Sequence, residues 1–272
     1  MSNLFQRLWV SFGITCFIFL AIFLSSFETM RPLFTLMTAA LISISLWEFY
    51  HIARNKGYRP LSRLGIVTTI CYLYAVFLAI GEPHLALFPW VILFITLVIS
   101  FLRFLFTGDC PLSNLALTFF GLTYLTLPLG LLIPINFEFG QMALVYLIVI
   151  TKLTDTGAFF VGKWLGHFKL APYISPNKTW EGAFGGFVLG VVSSYLIGPW
   201  IGLGAASSLL LGSLLAITSI FGDLTESLLK RDLGVKDSNQ LPGLGGFLDV
   251  VDSLVFTTPL FYFYLKLWGA TS

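Results

Sequence analysis

The side chains of this sequence that could do chemistry crowd into one stretch, Gly222 to Ser253, which reads GDLTESLLKRDLGVKDSNQLPGLGGFLDVVDS. It carries Asp223, Glu226, Lys230, Arg231, Asp232, Lys236, Asp237, Asp249 and Asp252, in a chain that is elsewhere close to continuously apolar. If Asp223 to Arg231 is helical, then Asp223, Glu226, Ser227 and Lys230 share one face. A solvated helix end with a Glu226–Lys230 pair would explain that face alone. Pro242-Gly243-Leu244-Gly245-Gly246 then makes a tight turn that allows close backbone approach. Asp249 and Asp252 follow on one face of the first turn of the last apolar segment. A carboxylate pair opening a membrane helix is costly unless something positive meets it. Carboxylate oxygens suit Mg²⁺, which binds through one or two of them plus substrate phosphates. Asp223, ending one span, and Asp249, starting the next, would converge on such an ion, with Lys230, Arg231 and Lys236 holding phosphates.

A second polar island is Lys152 to Gly182, reading KLTDTGAFFVGKWLGHFKLAPYISPNKTWEG. Asp155, with Lys152 three residues before it, lies near the end of an apolar segment, and an ionisable residue inside a membrane marks function by default. The alternative is a mutually neutralised Lys152–Asp155 pair. Gly157 to Lys163 fits GxxxxGK, but Trp164 stands where Ser or Thr should bind a metal, and the middle residues are bulky and apolar. It is not a phosphate loop. Ser175-Pro-Asn-Lys178-Thr179-Trp-Glu181-Gly182 is a better phosphate candidate, because Lys178 and Thr179 precede a helix whose N-terminus favours anions. His51, His84 and His167 have no ligand spacing, and Ser227 and Ser253 have no nearby His base, so neither zinc nor serine hydrolysis is indicated. Cys16, Cys71 and Cys110 lie in or beside apolar segments and read as small hydrophobes.

These residues must be positioned by membrane helices. Of the 272 residues, 57% are hydrophobic and only 10% charged, with 28 Phe, and the mean hydropathy is +0.90. A soluble domain carries about 25% charged residues. The fold class is an all-α polytopic membrane protein. A span needs about 20 apolar residues, which gives Leu8–Phe27, Leu33–Ile52, Leu64–Ile80, Leu85–Leu105, Leu112–Ile133, Met142–Val161, Ala183–Ile201, Ala205–Phe221 and Leu254–Leu267. The last is short and could begin near Phe247. The first reads as a span and not as a cleaved signal peptide. With the N-terminus inside, nine spans leave only Arg31 and Lys266 of the 15 Lys and Arg residues outside. The topology expected is N-terminus in, C-terminus out, with both polar islands cytoplasmic. The chain reads as one integral membrane domain, 1–272, with N-terminal spans over 1–150 and a catalytic region over 151–272. Gly182, Gly186 and Gly190, four apart, allow close helix approach. Packing within one chain is the plainer use, and a homodimer seam the other.

The two islands together resemble the phosphatidate cytidylyltransferases, or CDP-diacylglycerol synthases. That family's signature runs S-x-x-K-R, four residues, K-D, then P-G-H-G-G-x-x-D-R-x-D. Ser227, Lys230-Arg231, Lys236-Asp237, Pro242-Gly243, Gly245-Gly246, Asp249 and Asp252 match it in order. Gly222-Asp223, Glu226, the run from Asp155 to Lys163 and the run from Ser175 to Gly182 also fit. The likeness covers Lys152 to Ser253 well, and the N-terminal half only by hydrophobic pattern. Two positions depart, with Leu244 in place of the family His and Val250 in place of its Arg.

The resemblance implies that CTP and phosphatidic acid give CDP-diacylglycerol and pyrophosphate, at the cytoplasmic face of a bacterial inner membrane. It implies Mg²⁺ as cofactor on Asp223, Asp249 and Asp252, and catalytic roles for these with Lys230, Arg231, Lys236 and Asp237. Substrate contacts would come from Asp155, Lys163, Lys178, Thr179, Glu226, Ser227, Gly245 and Gly246. Membrane lipids are the expected surroundings, and no nucleic acid is expected as a partner. Two rivals remain: a transporter or channel with Lys152 and Asp155 in its pathway, and another lipid-phosphate transferase. Charge gathered at one face disfavours the first. The second, as a CDP-alcohol phosphotransferase, would need an Asp-Gly-x-x-Ala-Arg run that the chain lacks.

Overall fold

The computed structural model of the chain describes residues 18–108, 110–235 and 246–268. Most of the first expected span lies outside them; residues 18–24 are helical. Eight helical segments among the described residues are long and apolar enough to cross a membrane, and they coincide with the second to ninth expected spans. The protein is an all-α polytopic membrane protein, with one small hairpin as its described sheet.

The described residues gather into two compact units, one within Met1–Glu138 and Leu233–Val250, the other within Phe139–Asp232 and Val251–Ser272. In the first unit, α1 (Arg31–Asn55), α2 (Ser62–Gly81) and α3 (Phe88–Thr107) are regular helices. The next span is composite: α4 (Pro111–Gly121), a π turn (Leu122–Thr126), α5 (Leu127–Gly130) and α6 (Leu132–Glu138). Pro128 has no N–H to offer the carbonyl four residues back, so the regular ladder cannot run through this region. Tyr50 of α1 is fully buried and donates to the Thr118 carbonyl at 2.6 Å. Gly65 of α2 and Gly121 of α4 make room for it, since a Cβ at either would stand 2.7 Å from its ring. Hydroxyl pairs Thr68–Thr96 and Thr69–Thr126, each at 2.8 Å, join helices where lipid offers no competing water.

The second unit holds α7 (Gln141–Leu165), a hairpin of β1 (Lys169–Ala171) and β2 (Ser175–Thr179), α8 (Trp180–Ile197) and α9 (Ala205–Asp232). α10 (Leu248–Trp268) passes from the first unit into it. The strands pair antiparallel, Lys169 opposite Thr179 and Ala171 opposite Ser175. Two helices run longer than their apolar cores: α9 continues beyond Phe221 to Asp232, and α10 begins at Leu248, next to the earlier start near Phe247 and six residues before Leu254. In both, polar residues extend a helix that hydropathy alone cuts short.

Among the described residues, the most extensive helix contact lies between α7 and α8. A Cβ at Gly182 would stand 2.8 Å from the Ala158 carbonyl, and one at Gly186 would stand 2.6 Å from that of Thr154. The glycine stripe is thus occupied by α7 of the same chain, the plainer of its two readings. Gly157 and Gly162 belong to the same contact, inside a continuous helix, which is incompatible with a phosphate loop.

Candidate active site

α7 delivers its C-terminal end, α8 its N-terminal end and α9 its C-terminal end to the same place, and the hairpin connects the first two. A cavity of about 470 Å³ opens there, within the size range of small-molecule sites. Its wall includes Asp155, Phe159 and Lys163 of α7, Asn177, Lys178 and Thr179 of the hairpin, and Asp223 of α9.

The charged groups are wired together. Lys178 Nζ lies 3.0 Å from Asp223 Oδ2, with both side chains about a quarter exposed, so the pair faces the cavity instead of being sealed in the core. Asp223 also stands within hydrogen-bonding reach of the buried Asp252 of α10. Gly222 permits this meeting: a Cβ there would stand 2.7 Å from the Asp252 carbonyl and 3.0 Å from Ser253 Cα. One turn deeper in α7, Lys152 Nζ sits 3.2 Å from Asp155 Oδ2 and 3.1 Å from Ser253 Oγ. Ser253 Oγ donates to Asp155 Oδ2 at 2.9 Å and Ser219 Oγ to Asp155 Oδ1 at 2.8 Å. The Lys152–Asp155 pair therefore exists, but it belongs to a four-residue network and Asp155 also lines the cavity.

The hairpin is fastened to α8. Thr179 is the N-cap, its Oγ1 accepting from Gly182 N at 3.1 Å, and this satisfies one of the helix's unpaired N–H groups. The Glu181 carboxylate accepts from Phe168 N at 3.2 Å. Trp180 N donates to the Phe168 carbonyl at 2.9 Å. Arg231 Nε, from the end of α9, donates to the Ile174 carbonyl in the hairpin turn at 3.1 Å. Lys178 is thereby held on a strand anchored at both ends.

Asp155, Lys163, Lys178, Thr179 and Asp223 thus share one cavity wall, with Asp252 within hydrogen-bonding reach of Asp223. Glu226 and Lys230 form a 2.7 Å ion pair with side chains only 3% and 10% exposed, so they are not a solvated helix end. Among the described residues, the cavity wall omits Glu226, Ser227, Lys230, Arg231, Gly246, Asp249 and Asp252. Asp249 is half-buried one turn before Asp252 on α10. Lys236, Asp237, Leu244 and Gly245 lie outside the described residues. No three His, Cys, Asp or Glu side chains among the described residues stand close enough to form a metal cluster by themselves. Sequence reasoning missed Ser219, and it weighed Ser253 only as a nucleophile. Ser219 precedes Asp223 by four residues on one helix face, a spacing that could have revealed it.

Fold and site together define a class: a polytopic membrane protein that gathers lysines and carboxylates around a cavity at the ends of its helices. The profile of the Cytidylyltransferase family matches residues 5–268, and the chain belongs to that family. It is 31% identical to a phosphatidate cytidylyltransferase of Chlamydia pneumoniae, across 97% of this chain and 92% of that one. A Synechocystis protein of the same name is 35% identical over 86% of this chain and 88% of its own. A Helicobacter pylori one is 43% identical over 50% of this chain and 52% of its own. These relatives leave the transporter reading without support.

Proposed function

We propose that this protein transfers CMP from CTP to phosphatidic acid, forming CDP-diacylglycerol and releasing pyrophosphate, at the cytoplasmic face of a bacterial inner membrane. The observation that carries this reading is the cavity with Lys178 paired to Asp223 and Lys163 on its wall, in a chain of the Cytidylyltransferase family. A phosphate oxygen of the lipid attacks the α-phosphorus of CTP. The bond from that phosphorus to the bridging oxygen breaks, and pyrophosphate leaves with the electron pair. Phosphatidate is already ionised at neutral pH, so no general base is needed, and the barrier is mainly the repulsion of two anions. Lys178 and Lys163 supply positive charge fixed before the substrates arrive, which is the most effective form of such stabilisation. Phe159 offers an apolar wall beside them for the glycerol and acyl portion of the lipid.

Two carboxyl groups in hydrogen-bonding reach, as at Asp223 and Asp252, need a proton or a cation between them. With the hydroxyls of Ser219 and Ser253 nearby, the donors are all hard oxygens, which fits Mg²⁺. Asp223 and Asp252 would hold that ion, which would screen phosphate charge and polarise the reacting phosphoryl group. Lys178 then exchanges its Asp223 partner for a substrate phosphate.

The test is to supply detergent-purified protein with phosphatidic acid, Mg²⁺ and CTP labelled in the cytosine, and to follow label into the chloroform phase together with pyrophosphate. Label entering lipid in step with pyrophosphate, and abolished by EDTA, is the expected result. Absence of label from folded protein, with every nucleoside triphosphate tried, would overturn the reading.

A further inference from the structure

The geometry points to Glu48 as a positioning residue for the acidic first turn of α10, an inference that rests on the reading above for its catalytic consequence. Glu48 lies two turns before the C-terminal end of α1 and is 1% exposed. A carboxyl group at such a place in a membrane helix is costly and persists only with a partner. One partner lies 200 residues away: Glu48 Oε2 accepts the backbone N–H of Leu248 at 2.9 Å. Leu248 is the first residue of α10, and the first N–H groups of a helix have no acceptor within it. Leu248 is itself 3% exposed, which leaves little room for water to take the place of Glu48. Glu48 therefore does from another helix what an N-cap side chain does locally.

The turn held in this way is the one that matters. Asp249 is the next residue, and Asp252, within hydrogen-bonding reach of Asp223, is one turn further along the same helix. Among the described residues, the preceding chain gives that turn a backbone bond from Val250 N to the Phe247 carbonyl at 3.1 Å. Glu48 is not among the residues that line the cavity, and its effect is carried by the first turn of α10 and not by contact with substrate. This gives the N-terminal spans a part in the chemistry, although their sequence shows no reactive motif.

The test compares full-length wild type with Glu48→Leu, Glu48→Gln and Glu48→Asp in detergent. Amide hydrogen exchange over residues 246–256, melting temperature, and kcat and KM for CTP are measured on each. Losing one buried hydrogen bond is worth about 1–3 kcal/mol, or roughly 5- to 150-fold. In Glu48→Leu, exchange in the first turn of α10 is expected to rise by at least that lower factor and kcat to fall about as much, while KM for CTP shifts less than twofold. Glu48→Gln keeps a carbonyl acceptor and is expected to restore both. Glu48→Asp, whose carboxyl is drawn back by one methylene, should fall between, and it keeps the comparison with Gln decisive if the Leu variant does not fold. Unchanged exchange in the folded variants overturns the positioning role. Faster exchange with unchanged kcat overturns the catalytic link. If wild type transfers no CMP, the proposed function has failed, and the exchange measurement still decides what Glu48 holds.

Discussion

At the scale of single residues, the site pairs Lys152 and Lys178 with the carboxylates of Asp155 and Asp223. Lys178 and Asp223 are the clearest case, because both remain partly exposed at 3.0 Å separation. Replacing Lys178 with Ala removes fixed positive charge from the place where phosphate charge develops, and kcat is expected to fall about 10²-fold with the melting temperature little changed. Asp223→Asn should abolish CMP transfer and also remove the dependence of thermal stability on Mg²⁺, which the wild type should show in a melting series with and without EDTA. A stability gain from Mg²⁺ that survives in the Asn variant would move the ion to other ligands. Lys230 belongs to a different kind of pair, buried against Glu226. Its truncation would strand a buried carboxylate, so Lys230→Met should lower stability by about 3–5 kcal/mol, read as a large fall in melting temperature. Turnover per folded molecule would distinguish this from a phosphate contact.

At the scale of elements, glycines decide which helices can meet. Gly222 brings α9 against α10 so closely that a Cβ would lie 2.7 Å from the backbone of Asp252. Gly222→Ala must push the helices apart, and the cost of such overpacking is about 1–3 kcal/mol. Because the displaced contact is the one joining Asp223 to Asp252, this variant is expected to lose at least tenfold in kcat for a melting shift of a few degrees. Gly186→Ala makes a comparable clash with the Thr154 carbonyl, but between α7 and α8. It should lower stability with a smaller effect on turnover, and the contrast between the two separates packing from chemistry. The hairpin shows a further element-level device, since Thr179 and Glu181 tie β1, β2 and the start of α8 into one piece. Thr179→Val retains the volume and loses the cap, at a cost of about 1 kcal/mol.

At the scale of the whole molecule, the placement of Lys and Arg predicts an orientation. With nine spans and the N-terminus inside, the cavity would face the cytoplasm, where CTP is made. Alkaline phosphatase fused after Trp268 is then expected to be active, since it would be exported, and a fusion after Val235 inactive. The reverse pattern would invert the topology and put the site on the wrong side for its nucleotide. The division into two units adds a second consequence at this scale. The described residues of the cavity wall all come from the second unit, while Glu48 and Asp249 come from the first.

Composition and spacing by themselves determined the membrane class, eight of the nine expected spans, and the two islands that hold every charged residue of the cavity wall. They could do so because hydrocarbon makes apolar length compulsory and ionisable groups rare, so that both stand out without any knowledge of packing. What the tertiary structure decided is which of those charged groups work together. Helical periodicity placed Asp223, Glu226 and Lys230 on one face, yet Asp223 turns to Lys178 and Asp252 while Glu226 and Lys230 close on each other. The glycine stripe of α8 could have served a second copy, and α7 takes it instead. Glu48 had no legible role at all, because it accepts from a backbone N–H 200 residues away and no side-chain pattern records such a bond. Periodicity reports which residues share a face; only the path of the chain in space determines what that face meets.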